Sequence, residues 1–84
     1  MTDQEIITLI NTSLAEEFEL DPAAMAAEAN LYEDLGLDSL DTVDMVILLE
    51  RAFGMKIRDE QEIRQIRTLG DIHRFIIGKK AAQG

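Results

Sequence analysis

Apolar residues along this chain recur at helical spacing in blocks separated by breakers. Ile6, Ile7, Ile10, Leu14 and Phe18 mark a first helix. It begins near Thr2, where Thr2-x-x-Glu5 makes a capping box, and runs to about Phe18. Pro22 then breaks the pattern. A long connection extends from about Glu19 to Asp38, with a short helical turn expected near Ala23 to Ala27. Within it Leu31, Tyr32, Leu35 and Leu37 are spaced as anchors to a core, and Gly36 permits a backbone conformation that other residues resist. Asp38 is a good N-cap for unbroken helical sequence from Ser39 to about Phe53, which Gly54 closes. Met55 and Ile57 anchor a second connection. Asp59-x-x-Glu62 signals a short third helix with Ile63 and Ile66 on its inner side. Thr68-x-x-Asp71 opens a fourth, with Leu69, Ile72, Phe75 and Ile76 as its buried stripe. Gly78 is expected to end it, leaving Lys79 to Gly84 as a frayed tail. No strand-like alternation or repeat stands out. The pattern predicts an all-α protein, a small four-helix bundle with three main helices, one short third helix and a long loop between the first two.

The second helix has more apolar surface than one core requires. At about 100° per residue, Thr42, Met45, Val46, Leu49 and Phe53 share one broad face. Leu40, Val43 and Ile47 form another stripe on roughly the opposite side, alongside Asp41, Asp44 and Arg51. Complete burial would take Asp41, Asp44 and Glu50 under as well, at a large desolvation cost. The stripe therefore reads as a patch offered to a partner, the alternative being contact with another element of the same domain. Ser39 lies at the edge between the two faces. It sits in the first turn, where backbone N–H groups lack partners and negative charge is favoured, so a phosphate ester on its hydroxyl would be well placed.

Size and charge narrow the classes. With 84 residues, the chain reads as one domain over 1–84 near the small end of what folds alone. Net charge is −9, very unevenly placed: residues 1–50 hold thirteen Asp and Glu and no Lys or Arg, while 51–84 hold eight Lys and Arg against four Asp and Glu. The acidic half repels nucleic acid and anionic lipid and steers basic protein surfaces inward. Asp38, Asp41 and Asp44 flank the apolar stripe and are the carboxylates expected to serve recognition. There is no cysteine, so disulfides and thiolate metal sites are excluded. Nothing approaches a transmembrane span, and the start of the chain lacks the basic and apolar regions of a signal peptide, so a soluble cytoplasmic location and no membrane insertion are expected.

The run Glu33-Asp34-Leu35-Gly36-Leu37-Asp38-Ser39-Leu40-Asp41-Thr42-Val43-Asp44 resembles the signature of the acyl carrier protein family. The resemblance extends to Leu49-Glu50 and Phe53 and, more weakly, over nearly the whole chain. It implies that Ser39 carries a 4′-phosphopantetheine arm, transferred from coenzyme A by a phosphopantetheinyl transferase, whose terminal thiol holds acyl groups as thioesters. A chain without its own thiol must borrow one. The implied role is a non-catalytic carrier serving fatty acid, polyketide or specialised lipid biosynthesis. The acidic, partly apolar face of Asp38, Leu40, Asp41, Val43, Asp44 and Ile47 is expected to meet enzymes with basic docking surfaces, and an exposed recognition face argues for a monomer. In the family an acyl chain can tuck between the second and third helices, and the matching residues are Met45, Val46, Leu49, Ile57, Ile63 and Ile66.

The third-helix region departs from the family, which is commonly acidic there. This chain has Arg51, Lys56, Arg58, Arg64 and Arg67, with Arg58 where a proline often stands and a segment about one residue longer. Enzyme readings find little support. Ser39 lacks a Gly-x-Ser-x-Gly elbow, and the one histidine, His73, is expected at the surface or boundary of the fourth helix. The carboxylates fit neither a Ca²⁺ loop nor a zinc site. The competing reading is a small acidic adaptor that docks a basic partner through Leu40, Val43 and Ile47 without a prosthetic group.

Overall fold

The computed structural model describes residues 1–57 and 60–82. Among the described residues four helices follow one another: α1 (Asp3–Phe18), α2 (Ser39–Phe53), α3 (Glu60–Gln65) and α4 (Leu69–Ala82), with a 3₁₀ turn, Pro22–Ala24, in the first connection. The small all-α bundle of the sequence reading is what forms. Thr2 caps α1 as expected: its Oγ1 accepts from the Glu5 N–H at 3.1 Å, and the Glu5 carboxylate accepts from the Thr2 N–H at 2.8 Å. The cap proposed at Asp59 lies outside the described residues.

α1 packs on both α2 and α4. Ile6, Ile10 and Leu14 from α1, Met45 and Leu49 from α2, and Leu69, Ile72 and Ile76 from α4 meet at the centre, each almost wholly removed from water. These are the positions that helical spacing selects. Phe18 and Phe75 pack at the margin, half-buried.

The long connection between α1 and α2 is ordered by pairing with the turn before α4. Leu31 N–H donates to Arg67 O at 2.9 Å, Leu69 N–H to Ala29 O at 3.0 Å, and Gly70 N–H to Ala27 O at 2.7 Å, around an antiparallel bridge of Asn30 with Thr68. Asn30 organises the next turn, its Oδ1 accepting from the N–H groups of both Tyr32 and Glu33. Leu31 and Leu37 are buried as anchors and Tyr32 and Leu35 are half-buried; Met25 and Ala29 are further buried anchors that periodicity did not reveal. Gly36 takes the left-handed conformation, φ 72°. The connection therefore delivers Asp38 to a fixed place at one end of the bundle.

Two expectations are corrected. α4 does not stop at Gly78 but continues to Ala82, so Lys79 to Ala82 are helical rather than a frayed tail. A glycine weakens a helix by about 1 kcal/mol without ending it. Lys79 and Lys80 in the last turn favour the helix dipole, and the Lys79 ammonium lies 5.3 Å from the centre of the Phe75 ring. His73 is also not at the surface. It is buried between α4 and α1, with Nε2 donating to Asn11 Oδ1 at 2.8 Å. The spacing Leu69, Ile72, His73, Ile76 places it on the inner face, and Asn11 satisfies the ring nitrogen that makes such burial tolerable.

Burial, and secondarily the charge of Arg74, hold the His73 pKa below its ordinary value. A depressed folded-state pKa means the unfolded chain takes up the proton first. Stability from neutral His73 is therefore complete above about pH 6.5 and is lost as pH falls toward the lower folded value. Thermal melts of wild type and His73→Gln between pH 7.5 and 5 will show wild type more stable at neutral pH and the gap narrowing on acidification. A gap independent of pH would contradict the buried neutral imidazole.

Candidate functional site at the start of the second helix

Ser39 is the first residue of α2, and its side chain is exposed. Its position is set by a reciprocal cap. Asp38, in extended conformation, accepts the Asp41 N–H on Oδ1 at 2.9 Å, and Asp41 returns the bond, its Oδ2 accepting the Asp38 N–H at 3.1 Å. Asp38 is the cap expected from the sequence, and Asp41 is its reciprocal partner, with Asp in the place where a capping box more often has Glu or Gln. Thr42 adds a second tie, donating both its N–H and its hydroxyl to Asp38 O at 3.1 and 3.2 Å. With that proton committed, Tyr32 is the donor in its 3.3 Å contact with Thr42 Oγ1, which fastens the long connection to the helix start. Among the described residues the N–H groups of Ser39 and Leu40 have no acceptor, leaving two donors and the positive end of the helix dipole beside the serine.

The second apolar stripe faces water. Leu40, Val43 and Ile47 are 75%, 58% and 45% exposed, while Thr42, Met45, Leu49 and Phe53 on the opposite face are buried. Asp38 and Asp44 are exposed beside the stripe and Asp41 is partly so. A groove of about 560 Å³ runs along α2 from this point. Ser39, Thr42 and Tyr32 contribute polar atoms; Val43, Val46, Ile47, Ile57 and Ile63 make it greasy; Glu50 and Arg64 also border it. From Ser39 to Glu50 the helix rises about 16 Å. Of the six residues matched to an acyl pocket, Val46, Ile57 and Ile63 line the groove, whereas Met45, Leu49 and Ile66 do not line it and are buried in the core. Tyr32, Val43 and Ile47 line it without having been selected, since a groove between two elements shows only when both are in place. Arg58 lies outside the described residues.

Comparison with known proteins places this geometry. The family described as "Phosphopantetheine attachment site" matches residues 8–76. The chain is similar to a protein named acyl carrier protein 2 from Ralstonia nicotianae, 43% identical over 72 residues that cover 86% of this chain and 88% of the relative. It is 38% identical over 82 residues to an acyl carrier protein from Thermosynechococcus vestitus, covering 98% of this chain and all of that one. The match spans most of the chain, which is thus a phosphopantetheine attachment domain in a small all-α bundle. The chain belongs to the acyl carrier protein family.

The residues present suit the group that the family implies. The Ser39 hydroxyl is open to an approaching enzyme, two unpaired amides and the helix dipole accommodate an anionic ester, and the groove begins at the serine itself. The carboxylates of Asp38 and Asp41 are turned into capping bonds, so their charge sits near the serine without occluding it.

Exposure separates surface from scaffold along α2. Val43→Ser and Ile47→Ser will leave the melting temperature close to wild type, consistent with surface changes of about 0.5 kcal/mol or less. Met45→Ala, which empties a fully enclosed core position, will lower stability by about 2–5 kcal/mol. Chemical denaturation checks all three; equal losses would contradict the assignment of the two faces.

Proposed function

We propose that this chain is a non-catalytic, monomeric carrier that works in the cytoplasm and presents acyl groups to enzymes of fatty acid, polyketide or specialised lipid biosynthesis. The observation that carries this reading is the exposed Ser39 hydroxyl at the capped start of α2, within a chain that matches the attachment-site family over most of its length. A 4′-phosphopantetheine arm on Ser39 supplies the thiol that holds acyl groups as thioesters. The chain's own residues position and recognise. Asp38 and Asp41 hold the helix start rigid, so the attachment point is fixed relative to the rest of α2. Asp38, Asp41 and Asp44 attract basic surfaces of a phosphopantetheinyl transferase and of acyl-transferring enzymes, and Leu40, Val43 and Ile47 supply apolar contact once a partner has arrived. The stripe is small, which keeps such contacts weak enough for one carrier to leave each enzyme for the next. The groove beside Ser39, through Val46, Ile57 and Ile63, offers an apolar shelter to the arm or its cargo.

Incubation with coenzyme A, Mg²⁺ and a phosphopantetheinyl transferase, followed by intact-mass measurement, tests the reading. One arm will be added to wild type and none to Ser39→Ala, whose melting curve will stay close to wild type because the side chain is exposed. Wild type that gains no mass under conditions that load a control carrier would refute the carrier and leave the adaptor reading of Leu40, Val43 and Ile47.

A further inference from the structure

The exposed stripe of α2 changes charge along its length. Leu40, Asp44, Ile47 and Arg51 follow at four-, three- and four-residue steps, so they share one face of the helix. Leu40, Asp44 and Arg51 are all exposed, as is Ile47. The serine end of this face is acidic, with Asp38, Asp41 and Asp44, and its far end carries Arg51 in the last turn of α2. Twelve residues separate Ser39 from Arg51, or about 18 Å along the axis. A second cation borders the same surface from the neighbouring helix: Arg64 of α3 lines the groove together with Val43, Ile47 and the half-buried Glu50, so two exposed cations outnumber one partly covered anion at this end. Lys56, just past the end of α2, is exposed as well, whereas three other cations have local contacts. Arg67 donates to Arg64 O at 2.7 Å, Arg74 pairs with Asp71, and Lys79 lies over Phe75.

Resting on the carrier reading, we propose that the docking face of this protein is bipolar and fits partner enzymes that present both basic and acidic side chains. The basic part of such a partner meets Asp38, Asp41 and Asp44 beside the entrance for the serine-borne arm. Its acidic part meets Arg51 and Arg64, with apolar contact to Ile47 between. The cations serve as much to reject as to attract. A partner whose face is basic throughout gains from the first set and is repelled by the second, so Arg51 and Arg64 act as specificity residues toward protein partners.

The test uses the full chain and a phosphopantetheinyl transferase chosen for a docking surface that is basic and lacks acidic side chains. The readout is kcat/KM for loading of Ser39 in wild type, Arg51→Glu/Arg64→Glu and Asp44→Lys, with melting curves confirming the fold of each. The double variant will load about three- to tenfold faster, chiefly through KM, while Asp44→Lys loads more slowly, and added salt will narrow both differences. A double variant within twofold of wild type, with Asp44→Lys still impaired, overturns the bipolar face and leaves the carrier reading standing. Wild type that cannot be loaded overturns both. Sedimentation that shows a dimer dissolved by salt and by Arg51→Glu also overturns the proposal, because the stripe would then be covered by a second copy of this chain.

Discussion

The reciprocal bond between Asp38 and Asp41 is the constraint on which the rest of this small protein depends. A helix start leaves backbone donors without partners, and something must satisfy them. Here two carboxylates three positions apart each take the other's N–H, and the residue directly after the cap is Ser39. A loop serine would wander through many orientations. This one is fixed to a helix whose opposite face is locked into the core by Thr42, Met45, Leu49 and Phe53. Its exposure and its direction are therefore consequences of backbone chemistry at neighbouring positions.

The cap needs a loop that arrives in the right place. Hydrophobic anchoring alone would leave the connection free to slide, since Leu31 and Leu37 specify contact but not register. Register comes from the main chain: the Asn30–Thr68 bridge, the flanking bonds of Leu31 and Leu69, and the turn built on Asn30. The Tyr32 hydroxyl then joins the loop to Thr42. The tie between the loop and the turn before α4 thus reaches the start of α2 through a short series of hydrogen bonds, and a disturbance near Thr68 would be felt at Ser39.

Helix faces, caps at Thr2 and Asp38, the closing glycine at Gly54 and the outward stripe of Leu40, Val43 and Ile47 were all legible in the sequence. Each depends on spacing within one element, which a linear pattern preserves. What escaped depends on two elements meeting. Spacing alone puts His73 on the inner stripe of α4, but a polar ring there is tolerable only once Asn11 is brought to its nitrogen, and that partner is 62 residues away. Met25 and Ala29 lie in aperiodic sequence and are buried because the loop folds back. The groove is lined from α2, α3 and two connections at once, so Tyr32 could not be assigned to it from the pattern. Gly78 misled for another reason: a glycine ends a helix only when a left-handed turn is built on it, as at Gly54 with φ 62°.

Hydrogen exchange at the Asp41 amide, compared among wild type, Asp38→Asn and Asp38→Ala, tests the central claim most directly. Asparagine keeps a capping oxygen and alanine removes it, at a cost of about 1 kcal/mol. The expected result is an amide that exchanges about fivefold faster in Asp38→Ala and near the wild-type rate in Asp38→Asn, while Met45 and Leu49 stay protected in all three. Equal exchange at Asp41 in every variant would mean that the cap does not hold the helix start, and that Ser39 owes its position to something else.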